Sequence, residues 1–229
     1  MTRTKLGLLT IGQAPRADAL ADDVQAVLGD AAEVVERGAL DGLTFDEVAA
    51  LAPGEADDLL VTLLADGTPV RLGKRAILER LQAQVKRLEE EDGARATLLM
   101  CTGYFPDFRH RRPLLQPQAA LYGVVKGIAP NDRIGAMPPV PDQVAMVRRE
   151  WRATGVEDPV IVTADPYGPD PLRRIADAAR EAREEGARVL FMDCFGYDLR
   201  MRDAAAAEFP GPIVLARSMA ARLVAEIAR

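Results

Sequence analysis

Two segments decide how this chain is read: GARATLLMCTGY at 93–104 and GARVLFMDCFGY at 186–197. Each opens on Gly-Ala-Arg, runs through a mostly apolar stretch and closes on Cys-x-Gly-Tyr, so Cys101 and Cys194 each fall eight positions after Gly93 and Gly186. They are the two cysteines of the chain. Acids precede both glycines, and a glycine there can take the left-handed conformation that closes a helix. The expected unit is therefore a helix, a glycine, a buried strand, and a cysteine just past the strand's carboxyl end. Ligands of open α/β sheets bind at that edge.

Working outward, short apolar runs alternate with longer amphipathic stretches, the pattern of parallel strands joined by crossover helices. Strands are expected at residues 5–11, 33–37, 59–64, 96–100, 133–137, 160–164, 188–192 and 212–216. Helical periodicity marks RADALADDVQAVLG, KRAILERLQAQVKRLEEEDG and PLRRIADAAREAREEG. The ADGTP at 65–69 reads as a tight turn, which makes an antiparallel hairpin on the edge of the first sheet. The fold class that follows is α/β, with two Rossmann-like, flavodoxin-like parallel-sheet domains related by a pseudo-twofold axis. The expected division is 1–113, then 114–212, with a C-terminal helix at 213–229 packing back on the first domain. The Pro- and Arg-rich stretch from Tyr104 to Asp132 is the expected crossing, its LYGVVKG adding a helix turn.

Composition narrows the function. At 229 residues and 48% hydrophobic content the chain can bury a real core. A net charge of −6 speaks against nucleic acid as a partner, since RHRR at 109–112 is a short basic knot. No apolar run approaches the ~20 residues of a membrane span, and the apolar part of the N-terminus is too short for a secretory signal. The expected location is the cytoplasm. There, two cysteines set in separate units are free thiols rather than a staple, and with His110 as the one histidine no Cys/His zinc site is expected.

Two opposed thiols suit one chemistry in particular. Inverting a carbon beside a carboxylate needs a base on one face and an acid on the other. A thiol titrates near about 8.5 and is tuned lower by N–H donors, so a thiolate and a thiol can exchange roles. The loops after Cys101 and Cys194 offer backbone N–H groups to the developing enolate, and Gly103 and Gly196 allow close approach. The TIGQAPR loop at 10–16 adds Thr10, Gln13 and Arg16 on the same sheet edge, a place to hold a carboxylate. It lacks the G-x-G-x-x-G of a dinucleotide site. Weaker candidates are Tyr104 and Tyr197 for substrate orientation, Asp193 for biasing the neighbouring thiol, Asp165 and Tyr167 at the same edge, and His110 for an anion.

The segments TIGQAPR, LLMCTGY, LFMDCFGYD and VLARSMAARLVAEIA together resemble the AroM family over nearly the whole chain, a branch similar to the aspartate/glutamate/hydantoin racemase superfamily. The resemblance implies a cysteine from each domain facing the substrate and no cofactor. Racemases of that superfamily usually carry Cys-Asn-Thr and Cys-Thr where this chain has Cys-Thr-Gly and Cys-Phe-Gly. The expectation is a cofactor-independent racemase or epimerase of a small amino acid, hydantoin or related anionic carboxylate. Cys101 and Cys194 are its acid/base pair, and Thr10, Gln13, Arg16, Thr102, Gly103 and Gly196 hold the substrate. A homodimer is the common assembly of such folds. The alternatives are a cysteine-dependent isomerase or decarboxylase on the same fold, and a non-catalytic small-anion-binding protein.

Overall fold

The computed structural model describes residues 3–227. The chain divides into two compact units: the first runs to Pro117 and takes in the chain from Ala220 onward, and the second is Gln118–Met219.

In the first unit, β1 (Thr4–Thr10), α1 (Leu20–Leu28), β2 (Ala32–Gly38), the short α2 (Phe45–Ala49), the hairpin β3 (Leu59–Leu63) and β4 (Pro69–Gly73), a 3-10 turn at Arg75–Ile77, α3 (Leu78–Glu90), β5 (Ala96–Leu99) and β6 (Leu114–Leu115) follow in order. The sheet order is β2-β1-β5-β6, with every pairing parallel. In the second unit come α4 (Gln118–Ile128), β7 (Ile134–Met137), α5 (Val144–Ala153), β8 (Val160–Ile161), α6 (Pro171–Glu184), β9 (Val189–Met192), α7 (Leu199–Glu208) and β10 (Ile213–Leu215), before α8 (Ala216–Ile227). Here the order is β10-β9-β7-β8, again all parallel.

Counted within its own unit, each sheet reads 2-1-3-4. The chain moves one way from the first strand to the second and the other way to the third, so the first and third strands flank a topological switch point. Cys101 follows the third strand of the first sheet and Cys194 the third strand of the second. The repeat read in the sequence is thus a repeat of topology. The two glycines that open it have φ of 72° at Gly93 and 91° at Gly186, conformations that other residues adopt at a cost.

The central strands β5, β7 and β9 are buried along their whole length, as strands covered on both faces must be. In the first unit Leu9 and Leu99 pack with Leu81, Val85 and Leu88 of α3. In the second, Leu190 and Met192 pack with Ile175, Ala178, Ala179 and Ala182 of α6. Leu190 is wholly buried in that cluster. We expect Leu190→Ala to lower unfolding stability by about 2–5 kcal/mol in urea titration, because the lost contacts and the residual cavity add.

Three expectations are corrected. The hairpin forms, but as a separate two-stranded sheet. The Leu63 carbonyl accepts the N–H of Gln13 at 3.2 Å, so β3 abuts the loop after β1 instead of extending the sheet edge. A first boundary at residue 113 falls too early, because Leu114–Leu115 is the fourth strand of the first sheet, with Thr97 donating its N–H to Pro113 at 2.9 Å. The helix expected from residue 213 begins at Ala216, and residues 213–215 are β10, paired with β9, within the strand expected at 212–216. LYGVVKG is part of the full helix α4, seated by Leu121, Tyr122 and Val125. Among the described residues, no helix is long and apolar enough to cross a membrane.

Candidate active site

In the first unit the ladder carries past β5, with the Met100 N–H donating to Leu9 at 2.8 Å, and Cys101 follows at once. Its side chain is half-buried and packs against the core cluster that contains Leu60 and Leu99. The chain then turns so that the N–H of Gly103 donates to the Cys101 sulfur at 3.5 Å.

The second unit repeats this arrangement. Asp193 donates its N–H to Met137 at 3.0 Å, Cys194 follows, and the N–H of Gly196 donates to the Cys194 sulfur at 3.3 Å. In both loops an N–H two residues along the chain is aimed at sulfur, the donor that stabilises a thiolate over a thiol. Cys194 is the more enclosed of the two, at 9% exposure, set among Met137, Ala164, Ile175 and Tyr197. The preceding Asp193 is buried and accepts the Tyr122 hydroxyl at 3.3 Å, while the same hydroxyl lies 3.3 Å from Glu150. Tyr122 stacks on Trp151 at 3.9 Å, and both rings meet Phe191 edge-on. Cys194, by contrast, packs in the cluster that contains Met192. Alternation along the strand therefore sends the carboxylate and the thiol to opposite faces.

Neighbouring loops hold the Cys194 turn. The Tyr197 hydroxyl donates to the Ala164 carbonyl at 2.5 Å, and full burial, with Cys194 and Asp193 adding to it, pushes its pKa well above the usual 10.0. Tyr197 thus remains a protonated tie between the loops after β8 and β9. Its place is in the core, where an aromatic residue after a strand end more often packs than orients substrate. Gly196 lies under the tip of Tyr167: a Cβ there would meet Tyr167 Oη at 2.4 Å and Pro166 Cγ at 2.9 Å. At Gly103 a Cβ would meet nothing closer than 3.5 Å, so close approach demands glycine in one copy of the loop and not in the other. Asp165 caps its own loop through the Tyr167 N–H at 2.8 Å. It also borders an open cavity of about 430 Å³ beside Thr163, Val140 and Arg174, a cavity that Cys194 does not line.

The TIGQAPR loop is braced from within. The Gln13 amide donates to Leu43 at 3.0 Å and accepts from the Ala65 N–H at 3.0 Å, tying three loops together. Arg16 is buried, paired with both oxygens of Asp18 at 3.0 and 2.6 Å and donating to Thr62 at 3.0 Å. Thr10 is buried, and its hydroxyl oxygen accepts from the Gly12 N–H at 3.2 Å and from Arg16 at 3.4 Å. These residues, expected to hold a carboxylate, shape the loop beside Cys101. Nothing in the sequence spacing shows that Thr62 and Leu43 close on them.

Glu36 accepts the Arg16 N–H at 3.4 Å, and burial raises its carboxyl above the usual 4.5 despite that bond. The folded state then holds the proton more tightly than the unfolded chain. Its contribution to stability is full below the ordinary value and is lost as pH rises through the folded one. We expect Glu36→Gln to gain in melting temperature relative to wild type between pH 4 and pH 7.

Residues 6–228 match the family described as AroM protein. The chain belongs to the AroM family. Among curated proteins, none matches this AroM chain in sequence. Among solved structures it is similar to a glycine-to-cysteine, cysteine-to-serine double mutant of arylmalonate decarboxylase in the liganded form, with a TM-score of 0.63 and 14% identity, covering 98% of this chain and 92% of that one. It is also similar to aspartate racemase of Picrophilus torridus, with a TM-score of 0.58, 12% identity and coverage of 98% and 94%. For glutamate racemase of Francisella tularensis in complex with D-glutamate the values are 0.61, 8%, and 98% and 80%. At such identities the likeness shows the fold, and it places this AroM chain in the α/β architecture of the Asp/Glu racemases.

Arg217 escaped the sequence reading. It sits in the quoted VLARSMAARLVAEIA, where an arginine just after a strand resembles a helix-start surface residue, yet it is 2% exposed and its Nε donates to the Phe195 carbonyl at 2.9 Å. His110 lies exposed, its Nδ1 2.9 Å from the Arg112 carbonyl. Among the described residues, no group of three His, Cys, Asp or Glu side chains gathers as a metal site would require.

Proposed function

We propose that this protein is a racemase or epimerase of a small carboxylate or amino-acid-like substrate, with Cys101 and Cys194 as proton acceptor and donor in one reaction. The observation that carries the reading is the matched pair of loops. Each thiol follows the third strand of a 2-1-3-4 sheet and receives the N–H of the glycine two residues on, at 3.5 and 3.3 Å. Core packing asks for a small apolar residue at such a place and does not ask for sulfur in both copies.

In the proposed reaction one cysteine, as thiolate, removes the proton from the carbon beside the carboxylate. The negative charge passes into the carboxylate as an enediolate, and the other cysteine, as thiol, returns a proton to the opposite face. The roles swap for the reverse direction, and the atoms balance without an electron carrier. Thr102, Gly103 and Gly196, each within two positions of a cysteine, are assigned to the substrate's carboxylate. Thr10, Gln13 and Arg16 support the loop beside them.

The unequal burial of the thiols favours a second reading, in which Cys194 alone acts as proton donor in a decarboxylation. The two readings part in D2O. With a panel of amino acids, hydantoins and small malonates, racemisation gives deuterium at the carbon beside the carboxylate with carbon count unchanged. Decarboxylation releases CO2. Binding without either, seen as a raised melting temperature, would replace both with an anion-binding protein.

A further inference from the structure

The Phe195 carbonyl and the Gly196 N–H are the two ends of one planar peptide group. That group is held at both ends: Arg217 Nε donates to its oxygen at 2.9 Å, and its N–H donates to the Cys194 sulfur at 3.3 Å. Arg217 is anchored where the first turn of α8 follows β10, and β10 lies beside β9 with Leu215 opposite Met192. The guanidinium therefore stands one strand over from the cysteine loop, on a side chain that is buried.

We infer that Arg217 is a positioning residue that sets the acidity of Cys194 through the 195–196 peptide. A guanidinium keeps its charge at all working pH values, and a hydrogen bond from it to a carbonyl is stronger than one between neutral groups. Pulling electron density toward the oxygen leaves the N–H of the same peptide more positive, so the bond it makes to sulfur strengthens in turn. The gain is greatest when the sulfur is a thiolate. Arg217 also fixes the rotation of the peptide plane, without which the N–H would swing off the sulfur. The arrangement favours Cys194 as the resting thiolate, the partner that removes the first proton. This inference rests on the reading of Cys194 as an acid/base thiol, but its test uses no substrate and survives the failure of that reading.

The test is the pH profile of alkylation by iodoacetamide, followed for each cysteine separately by peptide mass spectrometry, in wild type, Arg217→Gln and Arg217→Lys. With Arg217→Gln, Cys194 should react about tenfold more slowly near neutral pH, its profile moving up by about one unit, while Cys101 keeps its own profile as an internal control. Arg217→Lys should fall between, because it keeps the charge and loses the fixed Nε geometry. A folded Arg217→Gln protein in which Cys194 titrates as in wild type, or in which both cysteines shift alike, overturns the inference. Should both variants fail to fold, the wild type still decides. In ¹H–¹⁵N spectra the Gly196 amide and the Arg217 Hε should move together at the pH where Cys194 becomes resistant to alkylation, and an Arg217 Hε that stays still overturns it.

Discussion

Cys101→Ala and Cys194→Ala should each abolish racemisation, with kcat reduced by about 10²–10⁴-fold and the fold retained. Cys101 is half-buried and each substitution removes a single sulfur atom, so neither truncation opens a large cavity. The loss should appear in kcat more than in KM, because each sulfur is asked to move a proton and not to bind the substrate in its ground state. The two effects should not add: once either face lacks its proton carrier inversion stops, and the double variant should be no worse than the poorer single one. A one-thiol decarboxylase would show a different pattern, with one of the two substitutions nearly silent.

The second large effect is expected at Gly196. In Gly196→Ala the new methyl lies 2.4 Å from the Tyr167 hydroxyl and 2.9 Å from Pro166, so the Tyr167 ring, Pro166 and the Cys194 loop must shift against one another. Overpacking of this kind costs about 1–3 kcal/mol of stability. The loop that moves carries the N–H aimed at sulfur, and misplacing a reacting group by about 1 Å can cost on the order of 10²-fold in rate. Gly103→Ala is the matched control. Its methyl meets Phe105, Leu60 and the Cys101 sulfur at 3.5–3.7 Å, ordinary contact distances, so stability should change little. Denaturant titration on the two variants checks the contrast in stability, and steady-state kinetics on Gly196→Ala checks the loss of rate.

Much of the architecture is legible in the sequence because buried parallel strands leave an apolar run that solvent-facing segments cannot imitate. All eight expected strands form, and the repeated Gly-Ala-Arg to Cys-x-Gly-Tyr unit reports a real repeat of topology. What escaped is what periodicity does not record. β6 has two residues, Leu114 and Leu115, too few to show alternation. α7 buries only Ala205 along its length, and its Ala-rich surface presents no apolar stripe.

The site shows the same division. Cysteines at strand ends are visible as residue types at fixed offsets, whereas the fate of a polar side chain depends on neighbours distant in the chain. Arg16 finds Thr62 across 46 positions and Gln13 finds Ala65 across 52, partners that no local pattern records. Arg217 is the converse case. Its burial comes from strand order, which brings the start of α8 beside the loop after β9, and no local signal distinguishes it from a solvated arginine.

The central claim is that two thiols serve opposite faces of one carbon. It is tested most directly by following deuterium uptake from D2O into each enantiomer of a substrate, taken separately, with Cys101→Ser and Cys194→Ser. Each variant keeps one competent thiolate, so each should exchange the proton of one enantiomer without inverting it, and the two variants should choose opposite enantiomers. If both variants exchange the same enantiomer, or one of them racemises as wild type does, the two-thiol account is wrong.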